Sequence, residues 1–207
     1  MKSPQIPGQV GTPLRARDPS CGLMQVVGQR SDPPIDEHAN LEIMPRDLTN
    51  EVNVGPMDDA AEARAFKALN EEWINELFAL EPPDRLLIDH PQEEIVAKGG
   101  QVLIARLHGE IVGCVALMPM ADGVFELSKM AVTPAVRGMG VGRVVLLAAI
   151  RSARLLGASS LFLATSTKLT NAINLYESVG FRDVPAERLG PYPYHRADVF
   201  MELRLRG

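Results

Sequence analysis

The segment Val136 to Gly142 reads Val-Arg-Gly-Met-Gly-Val-Gly, and it lies between an apolar run closed by Thr133-Pro134 and a long, proline-free apolar stretch. A turn of this composition that enters a helix can hold an anion. The first amides of a helix have no internal acceptor and carry the positive end of its dipole. Glycines let the chain wrap closely around a guest with no Cβ in the way, so that successive N–H groups point inward. Arg137 and Arg143 add charge and donors. A pyrophosphate suits such a turn. Three other readings compete with it. A Walker loop needs Gly-Lys-Ser/Thr, whereas Gly142 is followed by Arg143-Val144. A dinucleotide fingerprint needs GxGxxG after the first strand of a βαβ unit, and the spacing here is GxGxG. The third is a glycine-rich turn without a ligand.

The elements that must position this turn can be read from periodicity. Val52 and Val54 alternate with polar neighbours, as in a short strand. Asp58 and Asp59 are N-cap candidates for a helix over residues 60–80, with an apolar stripe at Ala65, Leu69, Trp73, Leu77 and Leu80. Pro82 and Pro83 are expected to end it. A second short helix is expected within Gln92 to Lys98, stopped by Gly99-Gly100. Strands follow at Val102 to Leu107, Ile111 to Met118 and Val124 to Val132, joined by turns at His108-Gly109-Glu110 and Asp122-Gly123. Gly142 to Leu156 reads as a helix with Gly157 as its stop, and Leu161 to Ala164 as a buried strand. Thr170 to Val179 reads as a helix and Val199 to Leu205 as a last strand. The order is that of an α/β domain with a mixed sheet, and the antiparallel meander before the glycine turn speaks against a Rossmann fold. Residues 1–50 hold seven of the sixteen prolines and little periodicity beyond Leu23 to Val27. They are expected to form a flexible extension, with a domain boundary near residue 50.

Two segments carry a family resemblance. R137-x-x-G140-x-G142 resembles the signature of the GNAT superfamily of acyl-CoA-dependent N-acetyltransferases, and Ala172 to Phe181 resembles that family's AxxLYxxxGF segment. The likeness spans about residues 51–205. It implies an α/β (α+β) fold with a mixed, mostly antiparallel sheet, a splayed central strand pair and helices on both faces. It also implies transfer of an acetyl group from acetyl-CoA to a primary amine by direct attack in a ternary complex. By the same resemblance the turn of Arg137, Gly138, Met139, Gly140, Val141, Gly142 and Arg143 would hold the pyrophosphate. Met130, Ala131 and Val132 would offer main-chain hydrogen bonds, at a bulge that frees the strand. Tyr176 corresponds to the family's general acid, and a phenol of ordinary pKa about 10 is protonated at neutral pH. Glu126 stands where some members carry the general base; the other reading is an acid that is exposed or paired with Lys129. Period-two alternation puts Glu126, Ser128 and Met130 on one face and Lys129 on the other, unless a bulge intervenes. The family's Asn before AxxLY is replaced here by Leu169. That leaves Asn171 or Asn174 to contact the cofactor, and Asn171 is equally placed to cap the helix. Tyr192, Tyr194 and His195 lie in an aromatic loop that either walls the acceptor pocket or is simply structural. The alternative to an enzyme is a non-catalytic acyl-CoA-binding sensor or interaction module.

Charge and composition narrow the partners. The net charge of −5 argues against wholesale nucleic-acid binding. Residues 51–94 carry twelve acids against three basic residues, whereas residues 95–207 carry thirteen basic residues against eight acids. The acidic half suits a cationic amine acceptor; the other reading is solvated helix faces of unequal sign. Cys21 and Cys114 form neither a disulfide framework nor a metal-ligand spacing, so no metal is expected and a reducing, cytoplasmic setting is the default. No apolar run is long enough to span a bilayer, so no membrane partner is expected. A homodimer is compatible with all of this.

Overall fold

The computed structural model describes residues 47–205. The expected extension lies outside the described residues apart from its last four, and so do the candidate strand Leu23 to Val27 and Cys21. The described chain runs β1 (Val52–Pro56), α1 (Ala60–Leu77), α2 (Pro82–Asp89), β2 (Gln101–Leu107), β3 (Glu110–Pro119), β4 (Val124–Val132), α3 (Val141–Leu155), β5 (Ser160–Thr165), α4 (Thr170–Ser178), β6 (Arg182–Asp183) and β7 (Val199–Arg204). One seven-stranded sheet has the order β1-β2-β3-β4-β5-β7-β6. All its pairings are antiparallel except β4 with β5.

Local chemistry accounts for most of the boundaries. Asp59 caps α1, its carboxylate accepting from the Glu62 N–H at 2.8 Å. His108 and Gly109, at φ of 51° and 89°, make the two-residue turn between β2 and β3, and Asp122-Gly123 adopts positive φ before β4. Gly157, at φ 82°, follows α3. Gly100 is confined more tightly, because a Cβ there would lie 2.4 Å from the Leu117 carbonyl oxygen.

Two expectations are corrected. The stripe of α1 that faces the sheet is Glu62, Phe66, Asn70 and Ile74, one residue round from the expected line, and Leu77 is exposed. The buried polar members are satisfied: Glu62 pairs with Arg106, and Asn70 donates to the Phe66 carbonyl at 2.8 Å. Pro82 and Pro83, expected only to terminate a helix, open α2, where the missing N–H groups cost nothing. Residues 92–96 form a wide π-helical turn, closed by the Ala97 N–H on the Gln92 carbonyl at 2.8 Å.

α3 and α4 pack on one face of the sheet, with Val145, Leu146, Ala149, Tyr176 and Phe181 against Leu117, Leu127, Leu161 and Leu163. The other face meets α1 and α2 through Phe66, Ile88, Ile104, Cys114 and Ala116. β4 and β5 pair only from Val124–Glu126 to Ser160–Phe162 and part beyond that point. The opening between them positions the site. No helix among the described residues is long and apolar enough to cross a membrane.

Candidate active site

The parting of β4 from β5 leaves a cavity of about 510 Å³. β4 lines it from Leu127 to Val132, the end of β5 and the start of α4 from Ala164 to Ala172, and the end of α1 with Trp73, Glu76, Leu77 and Phe78. Tyr176, Arg137, Tyr192, Tyr194 and Arg196 complete the wall. Met130, Ala131, Val132, Arg137 and Asn171 of the expected cofactor residues therefore line the cleft. Asn171 does not cap α4, whose N-cap is Leu169 without a side-chain bond.

The glycine turn has the geometry of an anion cradle. Gly138 and Gly140 adopt φ of 79° and 81°, a conformation that glycine takes without a Cβ penalty. Gly140 is the N-cap of α3, so the helix begins at Val141, one residue before the expected start. The N–H groups of Gly138, Gly140, Val141 and Gly142 have no acceptor among the described residues. The turn is braced from behind by residues 47–49. The Leu48 N–H donates to the Met139 carbonyl at 3.1 Å, and a Cβ on Gly140 would meet Thr49 Cγ2 at 2.5 Å. Arg137 donates from Nε to the Val132 carbonyl at 3.1 Å and reaches Glu76 at 3.4 Å. Arg143 donates to Ser178 Oγ at 3.0 Å, tying α3 to α4.

Tyr176 is 8% exposed, with its ring 5.8 Å from that of Phe181. Its hydroxyl has no partner among the described residues, and burial pushes the phenol up to about 12. Glu126 is partly buried and is not among the groups lining the cleft. Its Oε1 accepts from the Tyr192 hydroxyl at 2.7 Å. Burial pushes its carboxyl above the usual range, against the opposing pull of that hydrogen bond and the Lys129 charge.

The bulge that alternation left open does intervene. The register of β4 against β3 shifts between Cys114↔Ala131 and Ala116↔Ser128, and Lys129 sits in the extra position at φ 52°. Phe125, Leu127, Met130 and Val132 then all join the α3 side, while Ala131 joins the α1 side. Lys129 is 6% exposed and shares Glu126's side of the sheet, not the opposite one. Its Nζ lies 3.0 Å from Asp84 Oδ1, donates to the Tyr194 hydroxyl at 2.9 Å and stands 4.5 Å from that ring's centre.

Sequence reasoning missed the rest of this network. Asp84 is fully buried on α2 and receives both Arg196 terminal nitrogens at 2.6 Å, a bidentate pair, and Arg196 also reaches Glu81 at 3.1 Å. Burial alone would raise Asp84, but the Arg196 hydrogen bonds and the Lys129 charge outweigh it and hold the carboxyl below the ordinary value. The signal available was a lysine inside the strand that leads to the glycine turn and an arginine beside the aromatic loop. Of that loop, Tyr192 and Tyr194 line the cleft. His195 is exposed and contributes its N–H to Glu81 at 2.9 Å.

Residues 64–181 match the model of the acetyltransferase (GNAT) family. The chain belongs to that family. An uncharacterised N-acetyltransferase of Schizosaccharomyces pombe is 32% identical over 133 residues, covering 62% of this chain and 81% of that protein. Among solved structures, a GNAT-family acetyltransferase of Staphylococcus aureus aligns with a TM-score of 0.67 at 19% identity, over 75% of this chain and 99% of that one. A putative acetyltransferase of Salmonella typhimurium, solved with its cofactor acetyl-CoA, aligns with a TM-score of 0.57 at 22% identity, over 76% and 95%. The mixed, mostly antiparallel sheet with helices on both faces is the GNAT architecture expected from the two motifs. Among the described residues no cluster of three or more His, Cys, Asp or Glu could hold a metal ion.

Proposed function

We propose that this GNAT chain transfers the acetyl group of acetyl-CoA to a primary amine by direct attack in a ternary complex. The reading is carried by the cleft where β4 and β5 part: Met130 to Val132, Arg137 and Tyr176 line it, and the start of α3 adjoins Met130 and Val132, with amides at Gly138, Gly140, Val141 and Gly142 that have no acceptor among the described residues. The residues present fit the cofactor. The amides of Gly138, Gly140, Val141 and Gly142, without acceptors among the described residues, suit a pyrophosphate, and the stretch of β4 from Met130 to Val132, beyond its pairing with β5, suits an amide-bearing arm. Acetyl-CoA supplies a thioester carbonyl to be attacked. Tyr176 protonates the departing sulfur, and Glu126 takes up the proton lost by the amine.

The acids that suggested a cationic acceptor are largely engaged elsewhere. Glu62 faces Arg106, Glu81 and Asp84 face Arg196, and Asp89 faces Lys67 at 2.7 Å. Glu76 is the one acid among the residues lining the cleft. The cleft itself thus presents Glu76 beside the cations Lys168, Lys129 and Arg196, and the acceptor amine we propose, cationic or not, is one that this mixed lining can accommodate.

The test is free-thiol release from acetyl-CoA with and without a library of amines, read together with the mass of the acceptor. The expected result is amine-stimulated release and an acetyl-sized mass gain on at least one amine. Binding of CoA without any amine-stimulated release would overturn the enzyme reading in favour of a binding module.

A further inference from the structure

If Glu126 is the base, as proposed above, its carboxylate needs a path to the acceptor. Glu126 does not line the cleft, yet the group that hydrogen-bonds it does. Tyr192 faces the cavity and donates its hydroxyl to Glu126 Oε1 at 2.7 Å. Its ring is fixed on three sides, 5.4 Å from Phe200, 5.7 Å from Tyr194 and 6.1 Å from Phe162. The neighbouring Tyr194 is committed differently. Its oxygen accepts from Lys129, and its ring lies against both Lys129 and Arg196, at 4.5 and 4.6 Å. We propose that Tyr192 is a catalytic proton relay that connects the acceptor amine in the cleft to Glu126 behind it.

An ammonium proton passes to the Tyr192 oxygen as the Tyr192 proton passes to the Glu126 carboxylate, leaving a neutral amine, an unchanged phenol and a carboxylic acid. The freed nitrogen lone pair forms the C–N bond to the acetyl carbon, and the C–S bond breaks. The sulfur takes the proton of Tyr176, and the surplus proton on nitrogen is lost to water. Tyr176 regains a proton from solvent and Glu126 releases one. The charged and titratable groups around the relay are Lys129 on β4, Asp84 on α2, and Tyr194 and Arg196 on the loop. The Lys129 ammonium near Glu126 favours the ionised carboxylate that must accept the proton, while burial holds that carboxyl above the usual range, which suits a base.

The experiment compares Tyr192→Phe, Glu126→Gln and the double variant at saturating acetyl-CoA, with kcat, KM and the pH profile of kcat as readouts. Tyr192→Phe keeps the ring contacts, and Glu126→Asp withdraws the carboxylate by one methylene with Tyr192 intact, so the test survives if one variant folds poorly. The expected result is a roughly tenfold or larger loss of kcat in each single variant with little change in KM. The double variant is expected to be no slower than the worse single. The acidic limb of the profile, set by Glu126, is expected to vanish in Tyr192→Phe. A Tyr192→Phe enzyme with the wild-type kcat beside a slow Glu126→Gln enzyme overturns the relay and leaves Glu126 as base. Losses that multiply in the double variant overturn the relay as well. Wild-type kcat in Glu126→Gln and Glu126→Asp overturns the base reading and the relay together.

Discussion

Replacing Tyr176 by Phe is expected to lower kcat about a hundredfold, the lower end of what a positioned general acid contributes, while acetyl-CoA affinity and melting temperature stay near wild type. The ring, packed against Phe181 in the core, is preserved in phenylalanine, so the substitution removes little besides the hydroxyl. That hydroxyl has no partner among the described residues, so its loss strands no buried group. What disappears is the proton for the sulfur. The pH dependence follows from the direction of the shift. A general acid must be protonated, and burial pushes Tyr176 up to about 12, so it stays protonated throughout the usual assay range. Activity therefore shows no alkaline limb from Tyr176 below about pH 10, about two units short of its raised pKa. Single-turnover rates in the two proteins between pH 6 and 10 check both parts. Equal rates in wild type and variant would remove Tyr176 from the mechanism.

Asp84→Ala is expected to destabilise the protein by about 3–5 kcal/mol, because it leaves Lys129 and Arg196 in a largely buried setting without their shared counter-charge. For a domain of this size that corresponds to a fall in melting temperature on the order of 10 °C. The effect has a definite pH signature. The folded-state pKa of Asp84 lies below the unfolded value, so its stabilisation is fully present above the ordinary carboxylate pKa and is lost as pH falls through the folded one. Thermal melts from pH 7 to pH 3 should show the gap between wild type and Asp84→Ala closing at the acid end. A gap that stays constant would mean that Asp84 contributes by packing alone. Asp84 joins α2 to the aromatic loop through Arg196 and to the β4 bulge through Lys129, so the variant should also loosen the cleft wall.

Much of this molecule can be read along the chain. The meander and its turns at His108-Gly109 and Asp122-Gly123, the glycine entry to α3 and the stop at Gly157 are short-range signals, and each lies where the sequence puts it. The misreadings share a physical origin in partners that are distant in sequence. The buried line of α1 was obscured because Glu62 and Asn70 look like surface residues until Arg106 and Cys114, each 44 positions away, are brought beside them. Pro82 and Pro83 serve equally to end one helix and to begin the next, and only the packing of Ile88 shows which. The face of Lys129 depends on whether β4 carries a bulge, and period-two alternation alone cannot show one, because the bulge is defined by the pairing with β3. The ion network is harder still, since Asp84 and Arg196 are 112 residues apart and neither type is ordinarily buried.

Trp73 gives the cleft a further property. It is the single tryptophan of the chain, its indole N–H is held by Asn70 Oδ1 at 3.1 Å, and its ring stands edge-on to Phe78 at 6.4 Å in the cavity wall. The protein thus carries one native fluorophore at the place where a cofactor and an acceptor would meet. Its emission is expected to change in intensity or colour as acetyl-CoA is titrated in. Occupancy of the cleft can then be followed optically, without a label and independently of turnover.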